Sequence, residues 1–306
     1  MFSPDSSLPQ SLVRTLALFA AQNHAATLVE LQTLLIRVAP YQEEPATLSA
    51  ILSELEGTLK DKVASRDGLY APRGYEQLLD NRLAQYNQTL ALYRKARRYE
   101  RLLRHIPFVR SVALSGSVAQ LNADDSSDID LFIIAQPGRI FTARLLVSAL
   151  FQLTASRRHG RKIAGRFCLN HYVAAGLAVP QDRNLYTALL YTSFIPLFGE
   201  QYTDDFWQNN LSWIREFFIK PQQPKTNFFN SERSGSVLQR FLEAILSPIA
   251  PGLERLCRII QERRIKQGEY VIVTPDQLAF HPDSKGQRIL ARYEAVLSGL
   301  PRQTSA

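Results

Sequence analysis

Two short stretches hold the residue types that can do chemistry at useful spacing. The first is Val112-Ala-Leu-Ser-Gly-Ser-Val-Ala119, and the second is Ser127-Asp-Ile-Asp-Leu-Phe-Ile-Ile134. Residues two apart in a strand point to the same face, so a strand here presents Asp128 and Asp130 together and sends Ile129 and Leu131 into the core. Two adjacent carboxylates repel unless a cation lies between them, and hard oxygen donors of this kind suit Mg2+ or Mn2+. Gly116-Ser117 supplies the complement. A glycine lets the backbone approach a phosphate closely, a following helix aims free N–H groups at the anion, and Ser117 adds a hydroxyl donor. Strand, Gly-Ser turn, short helix and Asp-x-Asp strand together suit a phosphate-bearing substrate with a divalent metal.

The elements that must position these residues follow from the pattern of the chain. Residues from about Leu8 to Gly74 read as three short helices and a hairpin. Leu12, Leu16, Phe19 and Ala20 form one helical face, and Thr27 with Glu30 is a capping box for a second helix. A third helix follows Pro45, with Leu48, Ile51, Leu52, Leu55 and Leu59 at helical spacing. Asp67-Gly68 within Val63 to Pro72 is a tight hairpin signal. Three helices and a hairpin are the layout of a winged helix. From Tyr75 to His105 the spacing predicts one long helix or two abutting ones, basic at its end and stopped by Pro107. Strands are then expected at Ser111–Leu114, Asp128–Ile134 and Arg166–Ala174, with a helix from Arg139 to about Ala155. The chain after Asp182 reads as mainly helical, and Pro221 to Ser236 as a loop.

Composition narrows the class. The chain has 306 residues with 45% apolar and 21% charged side chains, ordinary for a folded soluble protein. The net charge of +8 favours phosphate-bearing partners without naming one. Cys168 and Cys257 form no CxxC pair and no zinc-type cluster, a usage that fits a reducing cytoplasm. Cys168 reads as a small buried residue. No segment has the length and apolarity of a membrane span, so no membrane partner is expected.

Gly-Ser followed after a short helix by Asp-x-Asp resembles the signature of the polymerase-β-like nucleotidyltransferase superfamily. The preceding winged helix, Leu-Ser-Gly-Ser-Val-Ala, Phe-Cys-Leu-Asn-His-Tyr after a basic segment, and Phe280-His281-Pro282 before a short helix are similar to a group of uncharacterised bacterial nucleotidyltransferase-domain proteins. That group has Cys-Pro-Asn-aromatic where this chain has Cys168-Leu169-Asn170-His171. The resemblance implies an α+β fold divided as a winged helix over 1–74, a helical connector over 75–106, a small mixed-sheet core over 107–200 and a helical region over 201–306. It implies an enzyme that moves an NMP group from an NTP, ATP first, to an acceptor hydroxyl or phosphate on a small molecule, a protein or an RNA.

Active members of the superfamily have a third carboxylate on a later strand. Here no Asp or Glu lies between Leu131 and Gln181. Asn170, through its carbonyl oxygen, and His171, as a base, are the residues on offer there. The expected set is therefore Asp128 and Asp130 for metal, Gly116 and Ser117 for the triphosphate, Asn170 completing the site, and Arg161 and Lys162 from the acid-free run Arg157 to Arg166 for phosphates. Two alternatives stay open. One is a catalytically silent nucleotide-binding sensor. The other is a winged-helix nucleic-acid-binding regulator, although Glu54, Glu56, Lys60 and Asp61 on the third helix make a poor electrostatic footprint for DNA.

Overall fold

The structure is a computed structural model that describes residues 7–38, 45–160, 162–179, 182–223, 235–265, 271–280 and 285–299. The chain begins with α1 (Ser7–Ala21), β1 (Ala26–Thr27), α2 (Leu28–Thr33), α3 (Leu48–Glu56), β2 (Val63–Arg66) and β3 (Leu69–Pro72). Local chemistry sets these boundaries. The Thr27 side chain accepts the Glu30 N–H, while Glu30 accepts the Thr27 N–H at 2.8 Å, which is the reciprocal capping box expected from sequence. Thr47 caps α3 through the Ala50 N–H. Asp67 and Gly68 both take positive φ, 53° and 75°, as a tight two-residue hairpin turn requires. Antiparallel pairing gives a three-stranded sheet in the order β1-β3-β2, over a core containing Leu12, Leu16, Leu31, Ile51, Leu55 and Leu59.

The basic segment that follows is one helix, α4 (Gln77–Leu103), with its end near Pro107. At 27 residues it spans about 40 Å. Leu78 and Leu79 near its start join one hydrophobic cluster, while Leu92, Ala96 and Leu103 join another beneath the main sheet. Arg97 pairs with the buried Glu100, so part of the basic run is neutralised within the helix.

The rest of the chain builds that sheet and its covering. It comprises β4 (Val109–Ser115), α5 (Gly116–Ala119), β5 (Ile129–Ala135), α6 (Ile140–Leu153), β6 (Phe167–Ala174), α7 (Leu185–Thr192), β7 (Ile195–Phe198), α8 (Glu200–Ile214), α9 (Val237–Leu246), α10 (Ala250–Arg264), β8 (Val271–Val273), β9 (Gln277–Phe280) and α11 (Lys285–Gly299). The six strands run in the order β7-β4-β5-β6-β9-β8, with β5 and β6 parallel and the other pairs antiparallel. A right-handed crossover is the usual way to join parallel neighbours, and α6 lies in the β5–β6 connection.

Strand β5 shows how the sheet divides its faces. Ile129, Leu131, Ile133 and Ala135 pack with Phe141, Val147 and Cys257 on the side of α4, α6 and α10. Phe132 and Ile134 point the other way, into a cluster with Ala188, Phe206 and Tyr293 from α7, α8 and α11. Asp128 and Asp130 keep the same parity as Phe132, so the carboxylates lie at the end of that second face.

Two features add to the sequence expectation. Residues after 200 are not only helical, because the β8–β9 hairpin extends the sheet beyond β6. These strands of three and four residues leave too little alternation to detect. The C-terminal helix also returns to the beginning of the chain, where Ile289, Tyr293 and Val296 of α11 share a core with Ala17 and Leu18 of α1. His281 and Pro282, and most of the expected loop over 221–236, lie outside the described residues. Among the described residues, no helix is long and apolar enough to cross a membrane.

Candidate metal and phosphate site

The site begins at the end of β4, where Ser115 pairs with Asp130 of β5. Gly116 then turns the chain into α5 with φ 62°. A Cβ at this position would stand 2.2 Å from Asp130 Oδ2. Glycine is demanded twice, by the left-handed backbone and by the carboxylate lying against it. Ser117 follows, half-buried, with its carbonyl accepting the Asn122 N–H at 3.0 Å.

Asp128 is buried at the residue before β5, and Arg158 Nη1 donates to its Oδ2 at 2.8 Å. Arg158 is placed by backbone pairing. Its N–H donates to the Phe167 carbonyl at 2.9 Å, and the Phe167 N–H donates to Ser156 at 3.0 Å, which lays this basic segment beside the start of β6. The same Nη1 lies 3.8 Å from Cys168 Sγ.

Cys168 is the β6 residue that pairs with Asp130 across the parallel strands. One oxygen from each carboxylate and the thiol sulfur all lie within 4.8 Å of one another. Burial, then the neighbouring Asp128, pushes the Asp130 carboxyl up to about 6, against the opposing pull of Lys285, a hydrogen bond from Cys168 and the charge of Arg158. Burial and the two carboxylates push the Cys168 thiol up as well.

The second cation comes from the far end of the chain. Lys285 opens α11, and although burial opposes its charge, Asp130, Tyr186, Asp128 and Cys168 carry its ammonium above the ordinary lysine value. Tyr186 of α7 is pushed up by burial and by Asp130, with Lys285 acting against them. Its ring lies so close to α11 that a Cβ on Gly286 would meet Tyr186 Cδ1 at 2.8 Å. This close approach seats the start of α11 against α7 and brings Lys285 to the carboxylates.

The structure thus brings together Gly116, Ser117, Asp128 and Asp130 of the expected set. Asn170, expected to complete the site, lies at an irregularity of the β5–β6 pairing. Pairing shifts between Asp130↔Cys168 and Phe132↔His171, so Leu169 and Asn170 together stand opposite Leu131 at a bulge. Cys168, read from sequence as a small buried residue, takes the place beside Asp130. His171 packs edge-on against Phe132 at 4.8 Å, within the aromatic cluster that includes Tyr191. Lys162 is exposed and bridged to His159, Arg161 lies outside the described residues, and Arg158 is the basic residue that reaches the carboxylates. Lys285 and Tyr186 carried no local signal, because a single lysine or tyrosine on a helix resembles any surface or core position.

Fold and site define a class by architecture: an α+β protein whose mixed six-stranded sheet ends in a carboxylate pair beside a Gly-Ser turn. No protein-family model, curated protein or solved structure matches this chain.

Proposed function

We propose that the protein is a nucleotidyltransferase that moves a nucleoside monophosphate from an NTP, ATP first, to an acceptor hydroxyl or phosphate. The observation that carries this reading is the placement of Asp128 and Asp130 two residues apart at the start of β5, with the Gly116 turn packed directly against Asp130. Like charges held this close in a largely buried setting are costly without a cation. The cost is understandable where a substrate and its metal supply the compensation.

In this reading Asp128 and Asp130 hold a divalent cation, with Mg2+ or Mn2+ the ions that carboxylates favour. A cation held there would supply charge to orient the triphosphate and offset the negative charge of the departing pyrophosphate. The backbone of the Gly116-Ser117 turn and the Ser117 hydroxyl receive phosphate oxygens. Lys285 and Arg158 stand at the carboxylates and offer positive charge to the same oxygens. The element order α1, β1, α2, α3, β2, β3 supports a winged helix for residues 7–72, acting as a module that presents the site to an acceptor or partner.

A second reading, a silent nucleotide sensor, is favoured by one observation. No carboxylate from β6 joins the pair, and Arg158 already satisfies Asp128. The test incubates the protein with a divalent metal and each NTP labelled on the α-phosphate, alone and with cell extract, beside Asp128→Asn/Asp130→Asn. Label transferred only by the wild type establishes the enzyme and identifies the acceptor. Metal-dependent NTP binding without transfer identifies the sensor. Salt-sensitive nucleic-acid binding that survives the double substitution identifies a regulator of the nucleic-acid-binding kind.

A further inference from the structure

We propose that Cys168 is the third protein ligand of the metal held by Asp128 and Asp130, and that this mixed carboxylate–thiolate set selects Zn2+ over Mg2+. The inference rests on the metal-binding part of the reading above and not on nucleotidyl transfer itself.

Three observations support it. Parallel pairing of β5 with β6 sets Cys168 beside Asp130, and the three donor atoms converge to within 4.8 Å. Two ligands of one tetrahedral zinc lie roughly 3.5 Å apart, a separation that modest side-chain rotation reaches from here. The position is also one that a cation already favours, because Arg158 Nη1 bonds Asp128 at 2.8 Å and stands 3.8 Å from the sulfur. Finally, no acid occurs between Leu131 and Gln181, so β6 offers the metal sulfur where a further oxygen would otherwise complete a hard site.

Donor chemistry then decides the ion. Mg2+ prefers six oxygen ligands in near-ideal octahedral geometry and gains little from sulfur. Zn2+ accepts Cys and Asp in tetrahedral sites that leave a position for water or substrate, and it stands above Mn2+ and Fe2+ in affinity for sites of this kind. On binding, the Cys168 thiol gives its proton to solvent and becomes the ligand. Arg158 leaves the metal position and becomes available to a phosphate.

The experiment titrates the metal-stripped full-length protein with Co2+, a spectroscopic stand-in for Zn2+, and follows thiolate-to-cobalt charge transfer in the ultraviolet. The expected result is a charge-transfer band in the wild type and in Cys257→Ser, and its loss in Cys168→Ser and in Asp128→Asn/Asp130→Asn. Competition should displace Co2+ with Zn2+ at a concentration at least about 100-fold below that needed for Mg2+. Cys168→Asp should abolish the band and narrow the margin by which Zn2+ outcompetes Mg2+. Co2+ binding to the wild type without the sulfur band overturns the proposal while leaving the carboxylate metal site intact. Absence of any metal binding overturns both. The band with no nucleotidyl transfer under any condition sustains the proposal and removes the enzyme reading.

Discussion

Where α4 meets the N-terminal sheet, Arg82 sits between His24 and Glu30. At the end of the main sheet, Asp128 and Asp130 sit between Arg158 and Lys285. Both clusters are charged, yet they are balanced differently. In the first, one guanidinium meets one carboxylate at 2.7 Å and also donates to the His24 ring, which stacks on Phe19. Glu30 spends its second oxygen on the Thr27 cap. Each charge there has a fixed partner within its own unit or the adjoining helix. In the second, two like charges share one strand, and their counter-charges arrive from two distant segments, each attached through a single side chain. A closed cluster of the first kind locks two elements together. An open cluster of the second kind spends stability to keep charge available, which is what a metal or phosphate site needs.

Under the proposed function, the largest effect that would sharpen this contrast is catalytic. Asp130→Asn should reduce nucleotidyl transfer by at least about 1,000-fold. It should hold or raise the urea midpoint at pH 7, because burial and the neighbouring Asp128 disfavour the ionised carboxylate more than Lys285 favours it. A loss of stability comparable with the loss of activity would make the pair structural and erase the distinction.

Arg82→Ala should do the reverse. It strands Glu30 in a mostly buried position and should cost about 3–5 kcal/mol in urea denaturation. The folded fraction should retain nucleotide binding. A cost below about 1 kcal/mol would show that the lock is no stronger than a surface pair.

The two clusters should also respond to pH with opposite sign. Burial, then Arg82, lowers the His24 pKa from 6.5 to about 3, so between these values the unfolded chain binds more protons. Its contribution is therefore present above pH 6.5 and is lost as pH falls toward 3, by an amount on the order of a few kcal/mol. Glu30 acts in the same direction. Burial opposes its ionisation, but Arg82 and His24 hold its pKa below the usual carboxylate value, so its contribution also fades in acid. Burial, then Asp128, lifts the folded Asp130 pKa from the ordinary 3.8 to about 6, so its contribution is present in acid and is lost as pH rises through 6. Urea midpoints measured from pH 4 to pH 7 for the wild type, His24→Phe and Asp130→Asn separate the two. His24→Phe should flatten the acid-side decline, and Asp130→Asn should remove the opposing slope. Identical profiles for all three would refute both assignments.

Smaller effects should follow at the edges. Lys285→Met should raise the KM for NTP about tenfold with little change in fold, as expected for one charge offered to a phosphate. An unchanged KM would confine Lys285 to balancing the carboxylates. Thr27→Ala should cost about 1 kcal/mol through loss of the cap on α2, without touching activity.

Much of this architecture was legible in the residues because it is local. The Thr27/Glu30 pair, the Asp67-Gly68 turn and the alternation of Ile129, Asp130, Leu131 and Phe132 each act within a few positions. Their consequences appear as a capped helix, a tight hairpin and a strand with two distinct faces. Gly116 was legible as a turn, but its contact with Asp130 was not, since that depends on how β4 pairs with β5. Strands β7, β8 and β9 escaped because three or four residues carry no periodicity of their own and gain stability only from a neighbour already in place.

The sequence by itself determined which side chains carry charge, which strand presents the two carboxylates together, where α2 is capped and where the N-terminal hairpin turns. Those outcomes follow from side-chain alternation, capping and turn chemistry, all of short range. Only the tertiary structure decided what surrounds the pair. A bulge in the β5–β6 register gave the place beside Asp130 to Cys168, pairing along Phe167 carried Arg158 to Asp128, and the seating of α11 on α1 and α7 delivered Lys285. Each of these contacts joins segments distant along the chain, and their proximity is set by sheet register and core packing, which no local pattern encodes.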